Sequence, residues 1–92
     1  MEPRRAVVAP ELERWRRAAG PDDRRSAIVR PRPGTDPEHA ADRLAAIGME
    51  VVSAGRGSVI GNVTPEVLRL IGLETWVLAV EGPRTLRSLH GG

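Results

Sequence analysis

The chain reads as an α+β domain, a two-layer sandwich in which two helices cover one face of a four-stranded antiparallel sheet. Two matching helix units and the hairpin between them predict it. Each unit runs cap, proline, apolar stripe, glycine: "TDPEHAADRLAAIG" and "TPEVLRLIG". Between them lies "MEVVSAGRGSVIGNV", two β-branched runs joined by a glycine turn. Short apolar strands flank the set, "SAIVRP" before and "TWVLAVE" after. The order is βαββαβ, the split βαβ or ferredoxin-like arrangement. Both helices are amphipathic, so both belong on the same side of the sheet.

The elements follow in order. Residues 1–25 form a basic extension, in which Pro10 opens a short helix and Gly20-Pro21 ends it. Leu12, Trp15 and Ala19 share one face of that helix, which docks on the domain, is partly disordered, or serves as a separate binding helix. The domain occupies residues 26–83. Its first strand starts at Ser26 and stops at "RPRPG". The first helix is expected over 36–47, with Thr35 or Asp36 as cap, Pro37 in the first turn and Glu38 favouring the helix dipole. Ala40, Leu44 and Ile47 make its stripe, and Gly48 its C-cap. The second helix, over 65–71, repeats the pattern with Thr64, Pro65 and Glu66, then Val67, Leu68 and Ile71, then Gly72. Residues 84–92, "RTLRSLHGG", follow Gly82-Pro83 as a flexible tail.

The chain has 92 residues, enough for one small domain with a limited core. It has no cysteine, which excludes disulfides, thiolate metal sites and a cysteine nucleophile. His39 and His90 lie far apart, so no metal is expected, and no cofactor. All 14 basic residues are arginine, a composition that fits a GC-rich genome. Residues 1–32 hold nine Arg and five acids, a net of +4; residues 33–92 hold five and seven, a net of −2. A basic arm thus sits on a mildly acidic body. There is no Phe or Tyr to stack on bases, so nucleic acid is not an expected partner. No run is apolar enough for a signal peptide or a membrane span, and a cytoplasmic location is the expectation.

A two-layer sandwich leaves one sheet face without helices, and a self-sufficient domain makes that face polar. Here the last strand does not alternate. Trp76, Leu78 and Val80 are expected on one side and Val77 and Ala79 on the other, all apolar until Glu81. Val52 opposes Met49 and Val51, and Ile60 opposes Val59 and Val63. Whichever side meets the helices, the other carries an apolar patch of the kind that marks an interaction surface, unless the N-terminal helix covers it or the strand is simply central and two-sided. Trp76 is the expected anchor, with Val77, Leu78, Ala79 and Glu81 around it.

"AIVRPRPGTDPEHAADRLAAIGMEVV" followed by "GNVTPEVLRLIGLETWVLAVEGPR" resembles the propeptide inhibitor domain of subtilisin-like serine proteases. The likeness rests on Ile28, Val29, Pro33, Gly34, Thr35, Asp36, Pro37, Leu44, Gly48, Gly61, Thr64, Pro65, Glu66, Leu68, Val77, Val80 and Glu81, in order across residues 26–84. It implies an open sheet face packed on the protease and a C-terminal tail lying in the active-site cleft like a cleaved product. Leu86 and Leu89 stand at the spacing of the first and fourth specificity pockets, and His90, Gly91 and Gly92 complete the tail. Such domains act as inhibitors and intramolecular chaperones. The chain departs from the family where Ile60 and Asn62 flank Gly61 in place of an aromatic residue, and where "VEGP" replaces "VEPD". With no export signal and no protease domain following, the expectation is a separately encoded inhibitor, chaperone or partner subunit of a protease.

Two other classes stay open. The strand order and "LAAIGMEVVSA" also resemble small regulatory domains of the ACT kind, in which the open face would pair two copies as a homodimer. "LRSLHGG" resembles the tail of ubiquitin-like modifiers, although those folds begin with a β-hairpin before the helix. No catalytic constellation is visible: Ser26, Ser53, Ser58 and Ser88 lack a base nearby in sequence, and "GRGSVIG" lies in a hairpin, away from any strand-to-helix turn. A non-enzyme is the expectation.

Overall fold

The computed structural model describes residues 6–55 and 57–83. The chain runs β1 (Val7–Val8), α1 (Pro10–Ala18), β2 (Arg25–Pro31), α2 (Pro37–Ile47), β3 (Glu50–Gly55), β4 (Ser58–Val63), α3 (Pro65–Gly72) and β5 (Val77–Glu81). The strands form one sheet in the order β1-β5-β2-β4-β3. Four are antiparallel neighbours, but β1 pairs parallel with β5, matching Val7 to Ala79 and Val8 to Val80. The protein is therefore a small α+β fold with three helices and a five-stranded mixed sheet among the described residues, where four antiparallel strands were expected. The fifth strand comes from the arm. Two β-branched residues lie along the free edge of β5, and Ala9 N–H donates to Val80 O at 2.9 Å. No β-hairpin precedes α2 among the described residues, in contrast to the order of ubiquitin-like folds.

The helices start where their caps require. The Asp36 side chain accepts from Glu38 N–H, and Thr64 Oγ1 accepts from Val67 N–H at 3.2 Å, with proline opening each helix. Gly48 ends α2 with φ of 123°, a conformation that L side chains rarely adopt. Gly72 does not repeat that stop. It is the last helical residue of α3, and Leu73 caps it in a right-handed conformation.

The core lies between sheet and helices. Ala27, Val29, Val59, Val63, Val77 and Val80 face Leu44, Leu68 and Ile71, all buried. Leu12 of α1 is fully buried in the same cluster, with Trp15 packed against it. The arm is thus continuous with the domain core, and α1 lies against α3 on the helix side of the sheet.

An irregularity in β5 sets which side chains point out. Arg30 pairs with Ala79 but Pro31 pairs with Val77, so Leu78 has no partner in β2. The extra residue makes a bulge, and Val77 and Val80 both enter the core. This corrects the expected alternation, which placed Val80 with Leu78 and Val77 with Ala79.

Candidate functional site: the helix-free sheet face

Side chains of residues paired across strands share a face. Ala27 and Val29 of β2 are buried, so Ser26, Ile28 and Arg30 point the other way. Their partners complete that face: Asn62 and Ile60 of β4, and Glu81 and Ala79 of β5. Val7 of β1 adjoins Ala79, and Ser53 of β3 adjoins Ile60. The β3–β4 register shifts between Val51 and Ser53, which leaves Val52 as a second bulged, exposed residue.

An apolar band crosses the sheet. Ile28 and Ile60 sit directly opposite each other at its centre. Leu78 is 41% exposed, Ile60 38%, and Val7 and Val52 each 68%. Large aliphatic side chains gathered on one face at such exposure mark a surface that gains by being covered. All three helices lie on the opposite side, and the described part of the arm lengthens the sheet without covering this face. The alternative in which the N-terminal helix covers this face is therefore not met among the described residues.

Polar pairs frame the band. Arg30 Nε meets Glu81 Oε2 at 3.1 Å on the β5 side. At the other end Ser26 Oγ donates to Asn62 Oδ1 at 3.2 Å, and Asn62 Nδ2 donates to Glu50 Oε1 at 3.0 Å. Arg24 closes the group on Glu50 at 3.5 Å. Exposed pairs of this kind add little stability, but their opposite charges offset one another at the border of the band. Shifted titration is found elsewhere, on α3. The Arg69 hydrogen bond holds the Glu66 carboxyl below its ordinary range, and Glu66 raises Arg69 in return.

The residues expected to bind a partner divide. Leu78, Ala79 and Glu81 stand on the open face. Trp76 does not. It precedes β5, is half-buried against the core, and donates Nε1–H to Glu74 Oε1 at 2.6 Å. Val77 is fully buried and unavailable to a partner. Leu86, Leu89, His90, Gly91 and Gly92 lie outside the described residues. Ile28, Ile60 and Val52 were not among the expected binding residues, although the mixed faces of β3 and β4 pointed to the last two. Val7 gave no signal, because nothing in a two-residue strand fixes its side.

Among the described residues no group of acids and histidines could hold a metal ion, and no buried side-chain polar atom lacks a partner. No described helix is long and apolar enough to cross a membrane. Comparisons of the chain with protein families, curated proteins and solved structures find no match.

Proposed function

We propose that the protein is a binding module of the subtilisin-propeptide kind, which seats its helix-free sheet face on a subtilisin-like protease and acts as its inhibitor, chaperone or partner subunit. The observation that carries this reading is the apolar band of Val7, Leu78, Ile28, Ile60 and Val52, framed by neutralised ion pairs. Two further features support it. The strands β5-β2-β4-β3 with α2 and α3 make a βαββαβ unit in ferredoxin-like order, to which β1 and α1 are added. The chain also leaves β5, the strand that carries Leu78 and Ala79, through Gly82-Pro83. In this reading Leu86 and Leu89 enter the protease cleft.

Inhibition assays against a panel of subtilisin-like proteases test the reading. Leu78→Glu and Ile60→Glu put a charge where a partner must bury the band, and should abolish inhibition with an unchanged Tm. Val77→Glu should unfold the protein, because a lone carboxylate in that core has no partner. A chain ending after Pro83 should keep its Tm and bind at least about a hundredfold more weakly, since burying each leucine contributes about 1.5–3 kcal/mol. Failure of the intact chain to inhibit any protease would sink the proposal. So would a stable dimer in sedimentation that Leu78→Glu and Ile60→Glu dissolve, which would assign the face to a second copy.

A further inference from the structure

At the end of the open face where β2 runs into its loop, the sheet surface dips into a recess of about 300 Å³. Its walls include Pro31, Gly34, Gly57 and Leu78, and two arginines, Arg30 and Arg32, stand in its lining. No carboxylate lines it among the described residues; Glu81, the ion-pair partner of Arg30, stands outside the lining, and Arg32 meets only a carbonyl oxygen. The walls are stiff, because proline fixes the backbone of the loop.

The two guanidinium groups are held in place by a single atom each. Arg30 Nε bonds Glu81 Oε2, and Arg32 Nε bonds the Thr75 carbonyl oxygen at 2.7 Å. Neither group uses Nη1 or Nη2 in a bond among the described residues. A guanidinium anchored through Nε presents its two Nη atoms as a planar fork, the geometry that takes a carboxylate with two parallel hydrogen bonds. Anchoring removes rotamer freedom before any ligand arrives, so less entropy is lost on binding. Beside these forks, Leu78 and Pro31 offer apolar surface.

We propose that this recess receives an acidic residue next to an aliphatic one from the partner protein, the carboxylate on the Nη atoms of Arg30 and Arg32 and the aliphatic side chain against Leu78. The identity of that partner rests on the reading of the open face above, with which the recess shares Arg30 and Leu78.

Titration of the full chain followed by amide NMR tests the recess without a protease. The probes are acetyl-Asp-Leu-amide, its neutral isostere acetyl-Asn-Leu-amide, and inorganic phosphate. The acidic peptide should shift the Gly34, Gly57 and Leu78 amides saturably and bind more weakly as salt rises. The Asn isostere should bind about tenfold more weakly or worse. Arg32→Ala should abolish the shifts with little change in Tm, and Arg32→Lys should also weaken binding, because it keeps the charge but loses the anchored fork. Equal binding of the Asn peptide, equal binding of phosphate, or no saturable shift overturns the proposal. In protease assays, inhibition that Arg32→Glu leaves intact removes the recess while keeping the open-face reading. A recess that binds the acidic peptide in a chain that inhibits no protease keeps the recess and removes the partner.

Discussion

Gly61 sits on β4 opposite Val51, and its φ is not positive, so conformation alone does not demand glycine there. Space does. A Cβ at this position would meet the Glu50 carbonyl oxygen, and Met49 Cε at 2.9 Å. Since the nearest atom is backbone, β3 itself must move. Gly61→Ala should destabilise the protein by about 1–3 kcal/mol in urea unfolding, with the loss in midpoint. The family likeness included Gly61 as a motif residue; the packing of β3 on β4 supplies its physical reason. Glu66 behaves differently. Its folded-state carboxyl titrates below the unfolded value, because Arg69 Nη2 donates to it at 2.7 Å. The pair therefore stabilises the fold above the unfolded carboxylate range and loses that contribution as pH falls through the lower, folded value. NMR titration should find Glu66 ionising at lower pH than it does in Arg69→Ala. The accompanying change in stability should be small, since both side chains are exposed.

The elements whose chemistry is local were legible in the chain. A side-chain cap, a proline in the first turn and an apolar stripe set α2 at Pro37–Ile47 and α3 at Pro65–Gly72, within a residue of expectation. The hairpin strands were legible for the same reason. What could not be read depended on registers between distant strands. The bulge that turns Leu78 outward exists because β2 and β5 shift at Arg30/Pro31, and no residue within β5 announces it. The arm was left open between docking, partial disorder and a separate binding helix: Leu12, Trp15 and Ala19 showed a face, and the tertiary fold decides for docking, with Leu12 fully buried in the core cluster. Leu12→Ala should cost about 2–5 kcal/mol, a large part of the stability of so small a domain. A fragment beginning at Ser26 should lose cooperative unfolding and bind a hydrophobic dye, whereas an arm that merely decorates a finished domain would leave its melting curve unchanged.

At the scale of the whole molecule, the pairing of Val7 with Ala79 has a kinetic consequence. It joins positions at opposite ends of the described chain, so its formation closes the longest loop in the topology. Long loops are entropically costly to close, and contacts of high sequence separation are late events in folding. The return is small, because β1 is two residues long and Val7 stays 68% exposed. The seam between β1 and β5 should therefore form last and part first. Native-state hydrogen exchange should find the Ala9 amide, bonded to Val80 O, exchanging through a low-energy opening well below global unfolding, while the Val29 and Val59 amides exchange only when the whole chain unfolds. During each such opening the outer edge of the last strand stands bare for an instant, and a passing strand from another molecule has that interval in which to take the place of residues 7 and 8.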